Sequence, residues 1–202
     1  MSIVIENSVG VRVAQKRATR IRIIACARHL FRDHGYEATS TRNIAERAGV
    51  AVGTVFAHFP EKEMLLRDIL SSEIEGLLAE IRPSIPNAAG CCDVLFAYAE
   101  RLISNYVETP ELSRTLLRSV MFDRSAYEPQ LQFFTAEIAE RLAREAPALP
   151  ISTTRVAGEA LVANYLFAVV EALGSESVPI DAILTRLKER CLLVVTGLGI
   201  GR

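Results

Sequence analysis

Apolar residues recur at every third or fourth position along almost the entire chain of 202 residues. This spacing places side chains on one face of an α-helix. No stretch shows the strict alternation of apolar and polar residues that is typical of a half-buried strand. Prolines such as Pro83, Pro110 and Pro150 fall between the periodic stretches, where proline is tolerated. The pattern therefore predicts an all-α protein.

The periodic stretches divide into short helices near the start of the chain and longer helices beyond them. Ile23 and Phe31 lie on one face of a first helix, which we expect to end at Gly35 in a left-handed cap. A long helix begins at Glu61 and carries apolar residues on one face as far as Ile81. Five further helices are predicted, over residues 93–108, 111–122, 128–144, 153–173 and 181–198.

Two short helices separated by a glycine precede the long helix. Ser40 or Thr41 is suited to cap the first, over residues 40–48, and Gly49 closes it. The second covers residues 52–58. Three residues within it or directly after it lie at offsets typical of a core: Val55, Phe56 and Phe59.

A short helix, a tight turn with glycine and a second short helix form the helix-turn-helix of many DNA-binding proteins, whose second helix enters the major groove. The charge distribution agrees with this interpretation. Residues 1–62 hold 10 Lys or Arg against 5 Asp or Glu, whereas residues 63–202 hold 13 against 19. A basic N-terminal region on an acidic body is expected when only that region contacts phosphates. We therefore predict a DNA-binding element between Thr39 and Lys62.

A longer pattern surrounds this element: Ile24-x-x-Ala27-x-x-x-Phe31-x-x-x-Gly35-Tyr36-x-x-Thr39, then Ile44-Ala45-x-x-Ala48-Gly49-Val50-x-x-Gly53-Thr54-Val55-Phe56-x-His58-Phe59-x-x-Lys62-x-x-Leu65. It resembles the signature of the TetR (tetracycline-repressor) family of transcriptional regulators. The rest of the chain is similar to that family in length, helical content and apolar terminal helices. The resemblance implies an N-terminal three-helix helix-turn-helix DNA-binding domain followed by a C-terminal helical effector and dimerisation domain.

The resemblance also implies which residues contact double-stranded DNA. They begin the second helix, lead the recognition helix or flank it: Thr41, Arg42, Val52, Gly53, Thr54, Phe56, His58 and Lys62. Three positions depart from the family pattern. Phe56 lacks the hydroxyl of the usual Tyr, Ala51 stands where a Ser or Thr often caps the recognition helix, and Glu61 stands where a shorter capping residue is common. The flanking contacts are therefore better defined than the apolar tip of the recognition helix.

The domain boundaries follow from these assignments. We expect a flexible basic arm over residues 1–17, the DNA-binding domain over 18–62, and the ligand-binding and dimerisation domain over 63–202. The basic residues Arg12, Lys16, Arg17, Arg20 and Arg22 either reach DNA, as flexible arms do, or form a solvated run of charge.

A small-molecule effector is expected to bind between helices of the C-terminal domain. Aromatic, Met and polar residues at helical spacing are the candidates, although such residues are often plain core: Tyr98, Asn105, Tyr106, Arg118, Met121, Phe122, Tyr127, Phe133, Phe134, Asn164 and Tyr165. By resemblance, the long helix from Glu61 moves when the effector binds.

The last two helices are apolar on several faces, as residues 160–170 and 192–198 show. A helix of this kind must be buried on several faces, which favours a homodimer through the two C-terminal helices over a plain central core helix.

Several functions are disfavoured by what the sequence lacks. There is no catalytic grouping of Ser, His and Asp, no Cys and His spacing for a metal, and no glycine loop for phosphate. No cofactor, membrane span or secretory signal is expected, so the protein should be soluble and cytoplasmic. The four cysteines, Cys26, Cys91, Cys92 and Cys191, are expected to be thiols.

These observations predict a ligand-responsive transcriptional regulator, a repressor released from a palindromic operator by a small molecule. The alternative is a helical small-molecule-binding or redox-sensing protein without sequence-specific DNA binding, in which Cys91 and Cys92 would be the sensor.

Overall fold

The computed structural model describes residues 2–120, 124–174 and 178–200, and every regular element in that part of the chain is helical. The helices are α1 (Ser2–His34), α2 (Thr41–Ala48), α3 (Val52–His58), α4 (Lys62–Ile81), α5 (Cys91–Glu108), α6 (Pro110–Val120), α7 (Arg124–Glu145), α8 (Ile151–Gly174) and α9 (Ile180–Gly197). A 3₁₀ turn, Arg82–Ser84, follows α4. The predicted all-α class is confirmed, and each predicted helix end except the start of α1 lies within a few residues of the observed one.

The chain divides into two compact units, Met1–Ser72 and Glu73–Arg202. The first unit has a small core to which α1 to α4 each contribute apolar side chains that are almost completely buried: Ile23, Ala27, Phe31, Ile44, Ala45, Val55, Phe59, Leu65 and Leu66. These are the residues that the helical periodicity selects. Phe56 is the exception, because 49% of its surface is exposed, so its predicted place in the core is wrong.

Two boundaries of the first unit differ from the sequence prediction. Helix α1 begins at Ser2 and so includes the segment predicted to be a flexible arm, and its residues 10–17 are exposed. The first unit also extends beyond Lys62 to Ser72. It does so because Leu65, Leu66 and Ile69 are buried, which ties the first turns of α4 to this core.

The second unit is built on α5 and α8, which pack against each other and against α7 and α9. The largest buried side chains of α5 include Tyr98, Leu95 and Leu102. Gly158 of α8 lies close to α7, since an added Cβ would come within 3.2 Å of the Thr135 carbonyl oxygen. A larger residue at that position would force the two helices apart.

Helix α8 is the one described helix that is long and apolar enough to cross a membrane by length and composition. Half of its apolar window is buried inside the chain. Packing against α5, α7 and α9 therefore accounts for much of its apolar character.

Candidate nucleic-acid interface and effector region

Helix α2 begins with a reciprocal cap. The backbone N–H of Asn43 donates to Ser40 Oγ at 3.1 Å, and the Ser40 N–H donates to Asn43 Oδ1 at 3.0 Å. This capping box satisfies two amides at the start of a helix, each of which otherwise lacks a partner. Ser40 is therefore the cap, and Thr41 and Arg42 occupy the first turn, with Arg42 exposed. Sequence reasoning missed the role of Asn43, although the Ser-x-x-Asn spacing indicated it.

A left-handed glycine makes the turn between α2 and α3. Gly49 has φ of +63°, and its N–H donates to the Glu46 carbonyl at 3.1 Å. The next residue, Val50, donates to the Ala45 carbonyl at 3.0 Å. Together these bonds close α2 in the predicted manner and turn the chain into α3 within a few residues.

Helix α3 buries one side and presents the other to solvent. Val55 is fully buried, whereas Val52, Gly53 and Phe56 are exposed and Thr54 is half-buried. Its N-cap residue, Ala51, makes no side-chain hydrogen bond to the helix, as predicted for an alanine at this position. The exposed side of α3 is thus narrow and apolar, and it lacks side chains that would prevent close approach of another surface.

Lys62 has a role inside the chain that the sequence did not reveal. Its ammonium group donates to the carbonyl oxygens of Tyr36 at 2.7 Å and Thr39 at 2.9 Å, and it lies 4.1 Å from the centre of the Tyr36 ring. Thr39 is itself buried and donates through its hydroxyl to the Gly35 carbonyl at 2.8 Å. Lys62 therefore fastens the α1–α2 loop to the start of α4.

Arg20 is also engaged within the first unit. Its guanidinium pairs with Asp68, donates to the His58 carbonyl at 3.2 Å and lies 4.2 Å from the centre of the Phe59 ring. Arg20 was grouped by sequence with the basic residues of a mobile arm. In the structure it joins α1 to the end of α3 and to α4 instead.

The imidazole of His58 lies at the end of α3 and is half-buried. Burial lowers the pKa of His58 below its usual 6.5, and the nearby cations Lys16 and Arg20 lower that pKa further. At neutral pH the ring is therefore uncharged. It can offer one N–H to an anion, but not the positive charge of an imidazolium.

The aromatic residues predicted to line an effector site pack against one another. The ring centre of Phe134 lies 5.2 Å from that of Tyr98 and 6.1 Å from that of Tyr165, and all three side chains are buried. The Tyr98 hydroxyl donates to Glu137 Oε2 at 3.1 Å, and burial, followed by the neighbouring Tyr106, raises the pKa of Tyr165. These residues form an aromatic core that contains the hydroxyl groups of the tyrosines.

The other predicted effector residues are dispersed. Arg118 is exposed on α6, and Asn105 and Asn164 are half-buried on α5 and α8. Met121 and Phe122 lie outside the described residues, as does the side chain of Tyr127.

An open cavity of about 430 Å³ lies elsewhere in the second unit. Residues of α7 and of the segment that follows α4 line it: Arg82, Ile85, Asn87, Phe133, Ala136, Glu137, Glu140, Arg141 and Arg144. Among the residues that the sequence suggested as effector contacts, Phe133 lines this cavity, whereas Tyr98, Phe134 and Tyr165 do not. The three arginines carried no recognisable spacing, because Arg82 comes from a different element than Arg141 and Arg144.

The thiols are free, as expected, in the part of the chain that the structure describes. Cys91 is buried at the start of α5, where its Sγ lies 3.5 Å from Glu145 Oε2, and Cys92 is half-buried. A hydrogen bond with Cys92 and burial raise the pKa of Cys91, and the same bond lowers the pKa of Cys92.

Known proteins resemble this chain in both sequence and fold. The profile described as "Bacterial regulatory proteins, tetR family" matches residues 23–69. The transcriptional repressor KstR of Rhodococcus jostii (strain RHA1) is 34% identical over 114 residues, which cover 56% of this chain and 52% of that protein. The transcriptional regulator UidR of Escherichia coli (strain K12) is 32% identical over 71 residues, 35% of this chain and 36% of that protein. The alignments thus span between about a third and a half of these relatives.

Solved structures extend the likeness to almost the whole chain. A TetR transcriptional regulator from Rhodococcus sp. RHA1 superposes with a TM-score of 0.65 at 19% identity, covering 88% of this chain and 98% of that one. The TetR family repressor FadR of Thermus thermophilus, in complex with lauroyl-CoA, gives a TM-score of 0.65 at 24% identity, covering 89% and 94%.

The described part of the chain is all-α and presents the second helix of a helix-turn-helix to solvent. Residues 23–69, which carry that helix-turn-helix, match the tetR family of bacterial regulatory proteins.

Proposed function

We propose that this protein is a dimeric transcriptional repressor, which binds a palindromic operator and is released from it by a small molecule. The observation that carries the proposal is the exposed side of α3, held at a fixed angle by Gly49 within the segment that matches the tetR family. Such a regulator acts in the cytoplasm, where bacterial DNA is, and has no catalytic role.

The DNA contacts that we propose fall into two groups. Val52, Gly53, Thr54 and Phe56 meet base edges in the major groove, where the ring of Phe56 suits a thymine methyl group. Thr41, Arg42, His58 and Lys62 meet phosphates on either side. Arg42 is the strongest electrostatic contact, since it is exposed, whereas Lys62 already donates to two carbonyl oxygens and His58 is neutral.

The exposed apolar residues of α8 and α9 support a two-fold dimer. Phe167 is 54% exposed and Leu193 is 75% exposed. Arg190 of α9 lies 4.7 Å from the centre of the Phe167 ring, and Leu193 is one helical turn from Arg190. Apolar side chains of the two helices are therefore adjacent, as a shared interface requires. A two-fold dimer also explains why the operator should be palindromic.

The structural relatives indicate that this fold accepts chemically different effectors. FadR of Thermus thermophilus was solved with lauroyl-CoA, and RolR with resorcinol. The fold alone therefore does not define the effector of this chain, which must be inferred from its own cavity.

DNA binding can be tested by selection of duplexes from a randomised pool, followed by fluorescence anisotropy on the enriched sequence. We expect a palindrome, and we expect Arg42→Ala to weaken binding about tenfold and to reduce the salt slope by about 0.9, since one phosphate contact is lost. Arg101→Ala is the matched control, because Arg101 is an exposed arginine of α5. The absence of any enriched sequence would refute the proposal and favour a ligand-binding protein without a DNA target.

The dimer can be tested by analytical ultracentrifugation of the full chain. Leu193→Glu places a charge at the proposed interface twice, once from each protomer, and is expected to shift the protein to monomer. Val13→Glu changes another exposed apolar residue, on α1, and should leave the dimer intact. A wild-type monomer at micromolar concentration would contradict this part of the proposal.

A further inference from the structure

The cavity of about 430 Å³ in the second unit is lined by both charged and apolar side chains. Ile85, Phe133 and Ala136 supply apolar surface. Three arginines and two glutamates supply charge, so the net character depends on which of these charges are already paired within the protein.

Arg141 and Glu137 neutralise each other in the wall of the cavity. Arg141 is buried, and its Nη2 lies 3.4 Å from Glu137 Oε1, while its Nη1 donates to the Ala89 carbonyl at 2.8 Å. The second carboxylate oxygen of Glu137 accepts the hydroxyl of Tyr98. This pair is therefore structural: it holds the 85–90 segment against α7 and contributes no net charge to the cavity.

Arg82 and Arg144 keep their positive charge. No carboxylate among the described side chains pairs with either of them. The guanidinium of Arg82 lies 4.9 Å from the centre of the Phe133 ring, and Arg144 donates to the Asn87 carbonyl at 3.1 Å. Glu140, the other glutamate of the cavity wall, is exposed. Its single negative charge balances only one of the two arginine charges. The cavity thus retains a positive charge next to an aromatic ring.

We propose that this cavity binds an organic anion, a carboxylate or phosphate carried on an apolar body. Arg82 and Arg144 hold the anionic group through charged hydrogen bonds, and Phe133, Ile85 and Ala136 cover the apolar part. Guanidinium groups suit both oxyanions because their fork of N–H donors matches two oxygens.

The step that makes the anion the effector of a repressor rests on the proposed function. Arg82 directly follows α4, whose first turns belong to the DNA-binding unit. An anion that draws Arg82 toward α7 therefore acts on the end of that helix. It affects DNA binding only through a difference in its affinity for the two states of the repressor.

Calorimetric titration of the full-length protein tests the site directly. The probes are 2-naphthoate, decanoate, 2-naphthyl phosphate, the neutral amide 2-naphthamide and inorganic phosphate. We expect at least one organic anion to bind, with 2-naphthamide and phosphate each at least tenfold weaker than the best of them. The carboxylates and the phosphate ester distinguish the two kinds of anionic group.

The variant R82Q/R144Q removes both charges and leaves Arg141 in place. It is expected to lower the affinity of the best anion at least tenfold. Arg101→Gln is the matched control, since Arg101 is exposed on α5 and does not line the cavity. Equal thermal melting of the variants shows that any loss of binding is local.

Three results would overturn the anion site: no binding of any organic anion at millimolar concentration, equal binding of 2-naphthoate and 2-naphthamide, or unchanged affinity in R82Q/R144Q. Anisotropy on the selected operator separates this inference from the proposed function. An anion that binds without changing operator affinity refutes its effector role only, whereas a protein that binds no DNA refutes the proposed function and leaves the titration valid.

Discussion

The ammonium group of Lys62 provides the sharpest test of how the DNA-binding unit is held together. Lys62→Met keeps the length and most of the apolar stem of the side chain but removes the charge. The variant loses two hydrogen bonds to the carbonyls of Tyr36 and Thr39 and the contact with the Tyr36 ring. The α1–α2 loop thereby loses its attachment to the Lys62 side chain at the start of α4.

The magnitude can be worked from these contacts. Hydrogen bonds to charged groups contribute about 1.5–3 kcal/mol each, and a cation–π contact at an exposed site about 0.5–1 kcal/mol. Lys62 is half-buried, so water replaces part of what is lost. We therefore expect the free energy of unfolding of the first unit to fall by about 2 kcal/mol, which is less than the sum of about 3.5 kcal/mol that the lowest of these values give.

Amide hydrogen exchange of the full-length protein localises the effect, because it reports on each unit separately. The slowest amides of α1 and α2 should lose protection by about 30-fold, which corresponds to about 2 kcal/mol. Lys188→Met is the matched control, since Lys188 is exposed on α9 and lies 5.9 Å from the centre of the Phe96 ring. A change of less than about twofold in the first unit would refute the role of Lys62 as a clamp.

Three further perturbations test the helix-turn-helix. Ala51→Ser should stabilise the protein by about 1 kcal/mol in urea unfolding, because it supplies the missing cap of α3; an unchanged midpoint would mean that the amides of α3 do not need that cap. Gly49→Ala should destabilise by about 1–2 kcal/mol in the same assay, since φ of +63° strains a residue with a Cβ. Gly53→Ala, with equally open space in the first turn of α3, should not. The pKa of His58 is lowered on folding, so the unfolded chain binds the proton more tightly, and the free energy of unfolding falls as pH drops below 6.5. Urea unfolding of His58→Gln should show a smaller fall over that pH range. An equal fall would contradict the lowered pKa.

Much of the DNA-binding unit could be predicted from the sequence, because its determinants are local. Ser40 and Gly49 fix the ends of α2 through bonds to residues a few positions away. The apolar spacing of Ile23, Ile44 and Val55 selects the core, since burial of one helical face follows from periodicity alone. The same reasoning placed the exposed residues of α3, apart from Phe56, whose offset from Phe59 suggested burial although its side chain faces solvent.

The tertiary structure decided the contacts between residues that are distant in sequence. Lys62 meets Tyr36, and Arg20 meets Asp68, across separations that no local pattern records. In the effector region, too, local sequence patterns did not reveal which residues meet. Tyr98 and Tyr165 looked like ligand contacts and pack in the core, whereas Arg82 and Arg144 enter one cavity only because the segment after α4 folds against α7. Helical periodicity determines which face of each helix is buried, but the choice of neighbour, and so the cavity left between neighbours, depends on packing that the whole chain must satisfy at once.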